Sequence, residues 1–135
     1  VAVQQTDAGA RPRTVMVGVV ARDLGAAARV GAALGAEQRL DVAGTATTVG
    51  SLLHLTGPLE AVAVEIPPAE DVDVLLLVTC LRATGAAVVC FATDGDAARH
   101  EASLAPAGVP VVTVDELAER LLVAGLMART GTAAA

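Results

Sequence analysis

The run Leu59-Glu-Ala-Val-Ala-Val-Glu-Ile-Pro-Pro68 constrains this chain more than any other stretch. Its apolar residues follow one another instead of alternating with polar ones, the pattern of a parallel strand covered on both faces. The paired prolines that follow cannot donate to a sheet ladder, so the strand ends there. Glu65 therefore falls where a central strand leaves the core. In open α/β sheets, ligands and chemistry gather outside the carboxyl ends of the strands, which makes this acid the first candidate for a functional residue.

On either side of this run the chain repeats one unit, a buried strand followed by a helix. Thr14–Ala21 reads as the first strand. Asp23 is placed to cap a helix whose Leu24, Ala27, Ala28, Val30 and Leu34 recur at helical spacing, and Gly35 is placed to end it. A shorter strand at 40–46 leads to Thr48, the cap of a second helix with Val49, Leu52, Leu53 and Leu55 that stops at Gly57-Pro58. After the central strand, acidic Glu70 and Asp71 suit the amino end of a third helix reaching about Ala83. A fourth strand at 86–93 is followed by the Asp94-Gly-Asp96 turn and a polar helix near 97–104, closed by Pro106 and Gly108. The fifth strand, 109–114, carries Pro110, which suits a sheet edge, and Asp115 or Thr113 caps a last helix through Met127. Strands alternating with helices at this spacing predict an α/β domain, a doubly wound five-stranded parallel sheet over residues 14–128. Residues 1–13 read as a flexible tail and 129–135 as a linker stub.

Composition excludes several classes of function. The formal charge is −6, there is no Lys, and the nine Arg are dispersed, so no basic surface for nucleic acid is expected. Phe91 is the single aromatic residue, which leaves no platform for base stacking. Mean hydropathy is +0.63, yet no apolar run approaches the roughly 20 residues that span a bilayer. No membrane insertion is expected. The polar start is unlike a signal peptide, and a cytoplasmic location is expected. Cys80 and Cys90 sit in apolar runs without a zinc spacing and read as buried free thiols.

Other chemistry-bearing residues do not combine. Gly25 and Gly31 are too widely spaced for a dinucleotide loop. Gly44-Thr-Ala-Thr-Thr-Val-Gly50 has the hydroxyls of a flavin phosphate loop, but it follows the second strand, and helix capping by Thr47 or Thr48 accounts for it better. His54 and His100 lie on different helices with no second ligand nearby, and Ser51 and Ser103 lack a nucleophile-elbow setting. No catalytic residue, no metal site and no cofactor is expected.

Five strand–helix units in this length, Val64-Glu-Ile-Pro-Pro68 at the third strand, Gly44-Thr-Ala46 at the second and Gly95-Asp96 after the fourth together resemble the receiver domain of bacterial response regulators. The resemblance implies a receiver/flavodoxin-like fold with strand order 2-1-3-4-5, and it places Glu65 at the phosphoacceptor position. It also implies a loss of chemistry. The family's adjacent acids after strand 1 correspond here to Ala21 and Arg22, with Asp23 just beyond, so a hard cation loses its oxygen ligands and meets a guanidinium. The small hydroxyl residue expected after strand 4 corresponds to Ala92, with Thr93 next to it, and the lysine after strand 5 is missing. Glu65 is one methylene longer than the family's aspartate, and an approach to Arg22 is expected.

The resemblance thus implies a pseudo-receiver, a phosphorylation-independent interaction module of a longer bacterial protein. The missing part would be the output domain of a two-component response regulator or the ATPase domain of a MinD-like pilus-assembly protein. A small-ligand-binding protein or enzyme on a flavodoxin-like fold is the alternative. The last helix, apolar nearly all round in its second half, is expected to pair two copies through Leu117, Leu121, Leu122 and Leu126. The over-apolar helix at 72–81 is the second choice of surface.

Overall fold

A computed structural model describes residues 14–57, 59–66, 74–92 and 97–129. Five parallel strands, β1 (Val15–Val20), β2 (Leu40–Ala46), β3 (Ala61–Glu65), β4 (Ala87–Phe91) and β5 (Val111–Val112), form one sheet in the order β2-β1-β3-β4-β5. Between them run α1 (Leu24–Gly35), α2 (Val49–Thr56), α3 (Val74–Ala83) and α4 (Ala97–Leu104), and α5 (Val114–Arg129) closes the chain. The expected fold class and strand order are those observed. Glu70, Asp71, Pro67, Pro68, Thr93 and the Asp94–Asp96 turn lie outside the described residues, as do 1–13 and 130–135.

The period of two in each strand separates the core into two layers. Val15, Val17 and Val19 of β1, Ala61 and Ala63 of β3, and Val89 and Phe91 of β4 meet Ala27, Val30 and Leu34 of α1 and Leu117 and Leu121 of α5. Val62 and Val64 of β3 and Val88 and Cys90 of β4 point the other way, onto Leu52 of α2, Val78 and Leu81 of α3, and Leu104 at the end of α4. β3 has both faces covered and is buried along its whole length, as its unbroken apolar run requires.

Local chemistry fixes the ends of the elements. The Asp23 carboxylate accepts the Ala26 N–H at 2.7 Å and starts α1, and the Thr48 hydroxyl accepts the Ser51 N–H at 3.0 Å and starts α2. At α5 it is Thr113, not Asp115, that occupies the cap: its N–H and hydroxyl both donate to Glu116 Oε1, at 3.4 and 3.2 Å. Gly57 ends α2 at a φ of 79°, a conformation that costs glycine nothing. Arg82, in the last turn of α3, donates to the Ala107 and Gly108 carbonyls at 3.0 and 3.3 Å and ties that helix to the turn before β5. β5 lies at the sheet edge, as Pro110 suggests, and the Pro110 carbonyl still accepts the Cys90 N–H at 3.0 Å.

Several expectations of burial need correction. Leu24 and Leu55, counted among the core positions of α1 and α2, are 71% and 66% exposed. Leu24 is the first residue of α1 and Leu55 lies in the last turn of α2. Cys80 is exposed, because α3 turns Val78 and Leu81 inward and leaves Leu75, Leu76 and Cys80 outside. Leu117, Leu121 and Leu122 are no surface at all: they are 0%, 0% and 5% exposed and belong to the layer between α5 and the sheet. Of the residues expected to pair two copies, Leu126 alone stays outside, beside Val123 and Met127. Among the described residues, no helix is long and apolar enough to cross a membrane.

Candidate functional site

Glu65 continues the alternation of Ala61 and Ala63, so its side chain leaves β3 on the α1 and α5 side, at the carboxyl end of the sheet. It is 3% exposed, the one buried charged residue among those described. On the neighbouring strand, Val20 pairs with Val64, and the chain then passes through buried Ala21 to Arg22. This register brings the amide of Arg22 within reach of a glutamate. The Arg22 N–H donates to Glu65 Oε1 at 2.7 Å, and the guanidinium lies 3.6 Å from Oε2. Arg22 itself is 44% exposed, so the guanidinium contact is partly screened while the amide contact is not. The expected meeting of Glu65 and Arg22 is what the structure contains. It adds a backbone donor that the sequence did not suggest.

The rest of the candidate pocket is occupied by structural tasks. Ala21 is core, its N–H donating to the Ala46 carbonyl at 3.0 Å. Asp23, the remaining acid near the first strand, spends its carboxylate on the cap of α1. Ala92 is buried and donates its N–H to the Val112 carbonyl at 3.1 Å, and it offers no hydroxyl. Thr93 lies outside the described residues. After β5 the chain presents Thr113, turned to the cap of α5. Among the described residues, no group of three or more His, Cys, Asp and Glu stands close enough to hold a metal ion.

A cavity of about 260 Å³ opens beside the Glu65 side chain, between Ala26, Arg29 and Val30 of α1 and Val114 at the start of α5. Its walls are mostly apolar and it is smaller than the usual small-molecule pocket of roughly 300 to 1,000 Å³. Among the described residues Cys90 is a second buried ionisable group, and burial pushes its thiol up to about 12, so it is no nucleophile at neutral pH. His54 is exposed and His100 half-buried, on separate helices, with no shared site.

No family model matches the chain, and no curated protein matches it in sequence. Among solved structures, the RcsB response regulator of Salmonella typhimurium is similar in fold, with a TM-score of 0.58 and 10% sequence identity over 90% of this chain. The matched region is 59% of that chain, so this chain spans less than two thirds of its length. At that identity the likeness is one of fold, and it agrees with the strand order described above.

Proposed function

We propose that this chain is a receiver-like interaction module that works without phosphorylation, with the Glu65–Arg22 contact filling the place of metal and phosphoryl chemistry. The observation that carries this reading is the Glu65 carboxylate itself, 3% exposed and already bound to the Arg22 N–H at 2.7 Å. A phosphoacceptor must present a carboxylate oxygen to an incoming phosphoryl group beside a cation held by several oxygen ligands. Here the carboxylate is engaged by Arg22, Asp23 caps a helix, and the cation beside the carboxylate is the Arg22 guanidinium. The module would sit in a bacterial regulatory or assembly protein, as part of a response regulator or at the amino end of a MinD-like pilus-assembly ATPase. It would pair with a second copy along the exposed side of α5, where Val123, Leu126 and Met127 are 46%, 39% and 45% exposed.

The test is to incubate the wild type and Glu65→Asp with acetyl phosphate and magnesium and to record intact masses. Neither protein is expected to gain a phosphoryl group, because restoring the shorter acid restores neither the metal ligands nor the lysine. A phosphorylated wild type, or a substantially phosphorylated variant, would overturn the reading.

A further inference from the structure

Glu65 and Arg29, charges of opposite sign, stand in the wall of one cavity, the space of about 260 Å³ between α1 and the start of α5. Glu65 reaches it from the end of β3 and is 3% exposed, so its charge acts where water screens it little. Arg29 is exposed, and among the described residues it has no ion-pair partner within 4.0 Å. Its guanidinium lies back over the first turn of α1, where Nη1 would stand 3.4 Å from a Cβ at Gly25. That turn follows β1, at the end of the sheet that carries Glu65. The rest of the wall, Ala26, Val30 and Val114, is apolar.

A ligand that fills this space must answer all three features at once. An anion alone meets the Glu65 carboxylate with nothing to offset the repulsion, and a cation alone leaves the Arg29 guanidinium unanswered. A further polar group would lie against the apolar walls without a hydrogen bond. What fits is a zwitterion with a short hydrocarbon group: an ammonium for Glu65, a carboxylate for Arg29 and an aliphatic side chain for Ala26, Val30 and Val114. A carboxylate accepts from several donors at once, so an ammonium joins the Arg22 N–H instead of replacing it. The volume, below that of the usual small-molecule pocket, suits a molecule of this size. We infer that the cavity is a binding site for a small aliphatic α-amino acid of the valine or leucine kind. The site goes beyond the proposed function and depends neither on pairing nor on the lack of phosphorylation.

Amide spectra of the isotopically labelled chain, recorded as L-valine or L-leucine is added, test it. Each amino acid is compared with the two molecules that lack one of its charges, isobutylamine and isovalerate for valine, isoamylamine and isocaproate for leucine. Saturable shifts are expected at Ala26, Arg29, Val30, Glu65 and Val114 with a Kd below about 1 mM, and the singly charged molecules should bind about tenfold more weakly. Arg29→Gln removes a charge from an exposed position, and Glu65→Gln keeps an oxygen for the Arg22 N–H. Each should weaken the tighter-binding amino acid about tenfold, with thermal melting to confirm that the variant is folded. Should Glu65→Gln unfold, Arg29→Gln and the singly charged molecules decide. The absence of saturable shifts up to about 10 mM of either amino acid, or shifts that miss those residues, overturns the inference. So does a singly charged molecule that binds as tightly as its amino acid, or an affinity unchanged in Arg29→Gln. None of these outcomes bears on the acetyl phosphate test of Glu65.

Discussion

A glutamate at position 65 and an aspartate at the same place would build different pockets. The side chain must cross from the end of β3 to the amide that follows β1, and its carboxylate arrives at 2.7 Å. Shortening it by one methylene withdraws the carboxylate by about 1.5 Å, beyond any hydrogen bond to that amide. Glu65→Asp should therefore destabilise the protein by about 1 to 2 kcal/mol, and Glu65→Gln, which keeps an oxygen at the same reach, by less. Arg22→Ala should cost about 1 kcal/mol or less, since the backbone donor survives and the lost guanidinium is partly exposed. Urea unfolding of the three variants gives the ranking, and Arg22→Ala as the costliest would place the weight on the wrong contact. The cysteines make a second comparison. Iodoacetamide near pH 8 should label exposed Cys80 in the native protein and Cys90 only after unfolding. Because folding raises the Cys90 thiol from its ordinary 9.0 to about 12, the stability tied to it is whole below about pH 9 and is lost as pH rises toward 12. Labelling of Cys90 at the same rate as Cys80 would show that β4 is not covered as described. The sequence made Glu65 conspicuous because an acid ending an apolar run has few structural excuses. It could not show the Arg22 amide, since backbone donors carry no side-chain signature.

At the scale of elements, α5 shows what composition leaves out. Counting apolar residues in its second half suggested a surface, whereas helical phase divides them. Leu117, Leu121 and Gly125 lie along one core-facing line, while Glu116, Arg120, Val123 and Met127 lie along the other side. Gly125 is the telling position. A Cβ there would run into a Cγ of Val15 of β1, a fully buried side chain that is stiff at χ1. In an exposed helix, replacing Gly by Ala stabilises by about 1 kcal/mol, yet here Gly125→Ala should destabilise by about 1 to 3 kcal/mol through overpacking. A higher melting temperature for that variant would mean that α5 is not seated on β1 so closely. The caps were easier to read, because Asp23 and Thr48 precede apolar periodic stretches and have little else to do. Thr113 and Asp115 looked alike in sequence, and the position of Glu116 beside Thr113 decided between them.

For the whole molecule, alternating strands and helices with buried runs left little freedom: the parallel sheet was legible because each connection is short and carries a helix, while the strand order was expected from the resemblance to receiver domains and is the one observed. Function was less legible, for a fold does not fix its use, and a pocket of one acid, one guanidinium and apolar neighbours carries no recognisable catalytic pattern. In the proposed function the Glu65 carboxylate is held by the chain's own Arg22 and takes no part in phosphoryl chemistry. Amide spectra of the isotopically labelled protein, recorded as magnesium and then acetyl phosphate are added, test it most directly. The amides of Ala21, Arg22, Asp23 and Glu65 are expected to hold their positions at every step, with the Arg22 amide slow to exchange with solvent. Shifts concentrated at those residues, followed by loss of the Arg22 protection, would contradict it.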